Sequence, residues 1–239
     1  MQNKLLFLDV ESTGVDTEDR LYQVAWKLHQ ETVNEMFKPP LPISHVASSI
    51  THVTTKDVAG KAPFIGSPTH AKLAQLAANN EIFIAHNAQF DLKMVSKEGI
   101  TFKQHICTLK LARHLDEGDM VNHTLQYLRY YYDLEIDLGD LAPHDALADI
   151  IVLEAVFKKL ARSIQLKYSL TKEGTIKKML EISMNPVMLK KIMFGKYKGR
   201  LIGDIAREDK SYLIWLLNEK RKSPEEEEDW LHTLSYYLK

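Results

Sequence analysis

The chain has one cysteine, Cys107, among 239 residues. That excludes an internal disulfide and any zinc cluster built on cysteines. No apolar run approaches the roughly 18 residues needed to span a bilayer. The first residues lack the layout of a secretory signal, and no internal repeat or low-complexity tract is present. These absences point to a cytoplasmic protein with no membrane partner. An excess of either charge is missing as well, with 31 Lys+Arg against 32 Asp+Glu. The remaining composition, 45% hydrophobic and 26% charged, is that of a globular protein able to bury one sizeable core and a smaller one.

The near-neutral total conceals an asymmetry. Residues 1–163 hold 16 basic and 21 acidic side chains, whereas residues 164–239 hold 15 and 11; within 167–222 the balance is 14 to 6. This suggests a larger acidic domain over 1–163, a linker over 164–174 and a small basic domain over 175–239. A basic module suits a polyanionic partner, and an acidic one suits a cation-dependent site.

The stretch Phe7-Leu8-Asp9-Val10-Glu11-Ser12-Thr13-Gly14 organises the first domain. Apolar residues from Leu5 to Leu8 read as a buried strand. Side chains of a strand alternate between faces, so Asp9 and Glu11 share one side at its carboxyl end. Two like charges buried side by side cost on the order of several kcal/mol unless a positive charge sits between them. A divalent cation held by oxygens is the natural compensator.

Strands follow at Tyr22–Leu28 and Thr32–Phe37, until Pro39, Pro40 and Pro42 stop the sheet. A long loop then runs from Ser44 to about Pro68, with His45 and His52 either facing a substrate or serving as ordinary polar loop residues. Pro68–Asn80 reads as a helix and Glu81–His86 as a buried strand. Asn87 is placed to cap the next helix, and Asp91 falls in its first turn, where compensation of the helix dipole alone would explain an acid. A short strand over Gln104–Cys107 and helices over Thr108–Leu115 and Asn122–Tyr132 continue the alternation.

A further helix begins after His144 and runs to about Arg162, with Ala146, Asp149, Leu153, Val156, Phe157 and Leu160 on its core stripe. A lone aspartate in such a stripe is a defect unless a cation meets it. His144, just before that helix, is either a candidate general base or an ordinary loop histidine. Beyond a linker at Gln165–Thr171 and a helix over Glu173–Ile182, the span Leu189–Arg200 holds Lys190, Lys191, Lys196, Lys198 and Arg200 with no acid, interleaved with Phe194 and Tyr197. That pattern suits a nucleic-acid backbone and its bases, or a glycine-turned hairpin with a solvated basic face. Asp209–Arg221 reads as an amphipathic helix, and the acids Glu225 to Asp229 open the last one.

Taken in order, Asp9-Val10-Glu11-Ser12-Thr13-Gly14, His86-Asn87-Ala88-Gln89-Phe90-Asp91 and His144-Asp145-Ala146-Leu147-Ala148-Asp149 resemble the three motifs of the DEDDh 3′–5′ exonuclease family. The C-terminal segments Phe194–Arg200, Asp204–Asp209 and Tyr212–Leu216 are similar to the small domain of one bacterial branch of it. The resemblance implies an α/β, ribonuclease H-like fold: a mixed five-stranded sheet with helices on both faces, plus a small, mostly helical C-terminal domain. It also implies cleavage of the last phosphodiester at a DNA 3′ end, single- or double-stranded, to release mononucleotides in DNA repair.

In that picture Asp9, Glu11, Asp91 and Asp149 bind two Mg²⁺ or Mn²⁺ ions and His144 is the base. Ser12, Thr13, Gly14, Val15, His52, Asn87 and Phe90 contact the terminal nucleotide. Lys190, Lys191, Lys196, Tyr197, Lys198 and Arg200 bind nucleic acid from the C-terminal domain. Ile50-Thr51-His52-Val53-Thr54 departs from the I-H-G-I-T pattern usual in the family. An RNA 3′-exonuclease or a polymerase proofreading subunit shares the same five residues. A catalytically silent nucleic-acid-binding relative would usually have lost one of them.

Overall fold

A computed structural model describes residues 4–139, 145–224 and 227–239. The chain forms two compact units, residues 1–108 with 129–158, and residues 109–128 with 159–239. The stretch 109–128, which a linear reading assigns to the first domain, thus clusters with the C-terminal residues.

The first unit is built on five strands, β1 (Leu5–Ser12), β2 (Leu21–Leu28), β3 (Glu31–Met36), β4 (Ile82–Ala85) and β5 (His105–Cys107), in the order β3-β2-β1-β4-β5. β1 pairs antiparallel with β2 and parallel with β4, so the sheet is mixed. All four residues of β4 are buried, as are seven of the eight in β2. Both faces of the central sheet are therefore covered, as the apolar runs require. This is the α/β, ribonuclease H-like architecture expected from the motifs.

The helices are α1 (His45–Thr51), α2 (Thr55–Val58), α3 (Pro68–Ala78), α4 (Ala88–Lys97), α5 (Thr108–Leu115), α6 (Leu125–Tyr131), α7 (Ala146–Lys167), α8 (Lys172–Ser183), α9 (Ile202–Glu208), α10 (Lys210–Lys220) and α11 (Glu228–Tyr237). Four differ from the sequence reading. The presumed loop after Ser44 contains α1 and α2, and the Ser44 side chain caps α1 by accepting from the Ala47 N–H. Helices this short fall below the length at which periodicity is legible. α7 continues to Lys167, into the expected linker, because buried Ile164 extends its apolar stripe. α9 was not foreseen.

The second unit has its own core of Leu189, Ile192, Ile202, Ile205, Leu213, Leu216, Leu217 and Leu234. Its basic span turns through a 3₁₀ segment, Gly195–Tyr197, and closes with a bridge between Lys191 and Leu201. Gly195 has φ +62°, in the left-handed region that favours glycine.

Candidate active site at the carboxyl end of β1

The site is set by matching two spacings. Phe157 of α7 packs edge-on against Phe7 of β1, with ring centroids 5.3 Å apart. Phe7, Asp9 and Glu11 alternate onto one face of the sheet. From Phe157 back to Asp149 is eight residues of helix, about 12 Å. From Phe7 forward to Glu11 is four residues of strand, about 13 Å. A helix anchored at Phe7 therefore delivers Asp149 to the two strand carboxylates. Lys27 holds the same helix through Glu154 at 2.6 Å.

The structure brings Asp9, Glu11 and Asp149 together, with one carboxylate oxygen of each within 4.8 Å of the others. Burial, followed by repulsion from Asp91, Glu11, Asp149 and Asp145, raises the Asp9 pKa well above the carboxylate range. Burial and then Asp149 and Asp145 push Glu11 up to about 8. Three carboxylates this close, two of which resist ionisation, form the donor set of a hard divalent cation, and an all-oxygen shell suits Mg²⁺ or Mn²⁺.

Asp91 lies beside this cluster without joining it. It is buried, and its Oδ1 accepts from the Val10 N–H at 3.2 Å. β1 pairs with β4 only as far as Phe7, so Val10 lies beyond that ladder and Asp91 supplies its acceptor. Burial raises the Asp91 pKa, opposed by the Val10 hydrogen bond. Asn87 stands at the start of α4, but in the left-handed conformation (φ 63°) and without a side-chain cap. Asparagine tolerates that backbone, which leaves its amide exposed. His86 Nδ1 lies 2.9 Å from the Thr108 hydroxyl.

Other expected contacts distribute unevenly. The Ser12 hydroxyl donates to the Gly14 carbonyl at 2.6 Å, and fully buried Thr13 donates to Asp19 at 2.6 Å. Their side chains are engaged internally, so a substrate would meet only backbone here. Val15 is 73% exposed, Phe90 is half-buried and His52 is exposed in a left-handed C-cap. His144 lies outside the described residues.

Sequence reasoning missed Asp145, which caps α7 by accepting from Leu147 N–H at 2.9 Å and meets Asn34 Nδ2 at 3.5 Å. Asn34 in turn accepts from buried Gln23 at 2.8 Å. Gln23 pairs with Glu11 across the sheet, so this chain ties the start of α7 to the strand beside the carboxylates. The sequence carries no signal for it, because the register of Gln23 opposite Glu11 and the approach of Asp145 to Asn34 exist only in the fold.

In the second unit, Lys196 pairs with Asp209 at 3.2 Å and Arg200 with Glu208 at 2.7 Å. The Tyr197 hydroxyl donates to Asp209 at 2.7 Å, and both cations lie over the Tyr197 ring. Three of the six expected nucleic-acid contacts are thus committed internally. Lys190, Lys191 and Lys198 have no carboxylate within ion-pair distance among the described residues. The acids that open α11 are engaged too: Glu227 with Lys220 at 2.6 Å, Glu228 with Lys110 at 3.4 Å, and buried Asp229 with Arg113 at 2.7 Å. Glu225 and Glu226 lie outside the described residues.

Comparison with known proteins gives consistent results. A family model described as Exonuclease matches residues 6–157, and one described as Exodeoxyribonuclease X-like C-terminal matches 192–221. The chain is 29% identical to Exodeoxyribonuclease 10 of Escherichia coli K12 over 207 residues, 86% of this chain and 84% of that one. It is 28% identical to DNA polymerase III PolC-type of Lacticaseibacillus paracasei over 64% of this chain but 11% of that one. Among solved structures, exonuclease X in complex with 5′ overhanging duplex DNA superposes with a TM-score of 0.58 at 24% identity, covering 75% of this chain and 99% of that one. E. coli exonuclease I with a dA16 oligonucleotide gives 0.51 at 18%, over 70% and 42%. At these identities the structures bear on the fold alone.

Proposed function

Since the chain belongs to the exonuclease family, by a match over residues 6–157, we propose that it is a metal-dependent 3′–5′ exodeoxyribonuclease acting on DNA 3′ ends in repair. The observation that carries this reading is the convergence of Asp9, Glu11 and Asp149 within the matched segment. DNA is favoured over RNA by the exodeoxyribonuclease-type relative and the matching C-terminal model. The match to a DNA polymerase III keeps proofreading as a second reading, against which stands the match of residues 192–221 to an exodeoxyribonuclease X-like C-terminal model.

Asp9, Glu11 and Asp149, with Asp91 beside them, would hold two Mg²⁺ or Mn²⁺ ions. When bound, these supply Lewis-acid stabilisation of charge on the phosphoryl oxygens and lower the pKa of the attacking water. The chain's own part is placement. Backbone at Ser12 to Gly14 receives the terminal sugar, Val15 presses on the last base, and Asn87 and Phe90 border the same nucleotide. His144, the histidine of the third motif, accepts the water's proton at a ring nitrogen. Lys190, Lys191 and Lys198 of the second unit bind nucleic-acid phosphates.

The test is a 5′-labelled single-stranded DNA and the matching RNA, incubated with Mg²⁺ or with chelator. A Mg²⁺-dependent ladder shortening from the 3′ end of DNA, abolished by Asp9→Ala and Asp149→Ala, is expected. Full activity in either variant would sink the carboxylate assignment, and faster RNA degradation would overturn the DNA preference. His144→Ala should lose the acidic limb of the pH–rate profile.

A further inference from the structure

The loop that follows the catalytic strand, residues 13–20, is held from below by a structure that the carboxylate site does not explain. Asp19 is its internal hub. Its Oδ1 accepts from the Thr13 hydroxyl at 2.6 Å and its Oδ2 from the Asp16 N–H at 2.8 Å. Thr13 Oγ1 also accepts from the Arg20 N–H at 3.1 Å. The Asp19 carboxylate fills the space beside Gly14: a Cβ there would lie 2.4 Å from Oδ2. These contacts brace the loop, and Val15 projects from it.

The end of α4 grips this loop. Lys97 Nζ donates to the Asp16 carbonyl at 3.0 Å and to the Asp19 carbonyl at 2.9 Å. Those two carbonyls bracket the exposed tip, so one ammonium closes the loop across its base. Arg20 adds donations to the carbonyls of Glu18 at 3.0 Å and Asp19 at 3.1 Å, and its own guanidinium faces buried Glu98 at 3.9 Å. Lys97 and Asp91 stand on the same helix, six residues or about 9 Å apart. The element that lends Asp91 to the site therefore also fixes the loop beside it.

We propose that Lys97 is a positioning residue for the terminal nucleotide, holding residues 13–20 in the shape that presents the Gly14 backbone and Val15 to the substrate. The proposal rests on the exonuclease reading above. A charged donor bridging two backbone carbonyls is a strong tie, and ordering a loop before binding removes that cost from association. Such a contact acts alike on bound substrate and transition state, so its loss appears in KM and not in kcat.

The experiment compares Lys97→Met, which keeps the side-chain length, and Lys97→Arg with the full-length wild type. Three readouts are used: steady-state kinetics on a single-stranded oligonucleotide, its affinity by anisotropy with Ca²⁺ in place of Mg²⁺, and hydrogen exchange of amides 14–19. Lys97→Met should raise KM and weaken affinity by about tenfold, change kcat by less than about twofold, and speed exchange in the loop alone. Lys97→Arg should recover most of each. Wild-type KM and loop exchange in Lys97→Met would overturn the proposal. So would a joint fall in kcat and in protection throughout the first unit, the mark of a merely structural residue. An inactive wild type would sink the exonuclease reading instead, and affinity and exchange would still decide the role of Lys97.

Discussion

The carboxylate cluster should oppose folding of the metal-free protein, and Glu11→Gln isolates its share. Glu11 moves from 4.5 to about 8 on folding. A tenfold change in a protonation equilibrium is worth about 1.4 kcal/mol, so the full displacement represents at most about 5 kcal/mol. Glu11 is not fully withdrawn from solvent, and screening reduces this to about 2–3 kcal/mol. The sign follows from linkage. Below pH 4.5 the carboxyl is protonated in both states and its contribution is fully present. Between pH 4.5 and about 8 the unfolded chain releases the proton while the folded one retains it, so stability falls as pH rises, and above that range the loss is complete. Urea denaturation in chelator should therefore show the wild type losing about 2–3 kcal/mol relative to Glu11→Gln between pH 5 and 9. Mg²⁺ should restore the wild type at pH 8 and restore the variant less. Parallel pH profiles for the two proteins in chelator would refute the reasoning, because Glu11 would then ionise as freely in the fold as in water.

Gly14→Ala should destabilise by about 1–3 kcal/mol in urea denaturation, because the methyl displaces the Asp19 carboxylate; in an Asp19→Ala background the same change should be nearly silent. Asp229→Ala leaves the Val187 N–H and Arg113 without their acceptor, and should cost the second unit about 2–4 kcal/mol, read as a lowered transition reported by the Trp230 fluorescence. Alanine at Lys190, Lys191 and Lys198 should each reduce the salt slope of DNA binding by about 1; Lys196→Ala and Arg200→Ala should change it less, since their charges are already met by Asp209 and Glu208.

The core of the site was legible because each part carries a local contradiction. Asp9 and Glu11 end an apolar strand, and Asp149 interrupts an apolar helical stripe; both patterns are wrong for packing and right for a cation. Order along the chain then supplied the family. What periodicity could not carry is any bond between a polar side chain and a distant backbone. By its position alone Asp91 is explained as a dipole-compensating acid, and only the resemblance makes it a site residue; its bond to Val10 exists only because β4 ends before β1 does. Asp19 and Lys97 sit among exposed loop and helix-end residues, where charge is the default and signals nothing. In the basic C-terminal span, a charge count says how many cations there are but not which of them meet an acid: folding sets Glu208 against Arg200 and Asp209 against Lys196.

The same geometry explains why a repulsive cluster survives in a marginally stable fold. The attachments that set the register of α7, Phe7 to Phe157 and Lys27 to Glu154, lie at the amino end of β1, away from the carboxylates. At the other end, the Gln23–Asn34–Asp145 chain restrains the start of the helix with neutral amides, and the only charge it brings is itself negative. Asp145 thus caps α7 and adds to the field that raises Glu11 and Asp9. A lysine at that position would relieve the repulsion and stabilise the empty site, but it would occupy the place of the cation. The arrangement fixes the carboxylates from a distance and leaves their mutual repulsion unrelieved, so that the favourable interaction is left to a cation.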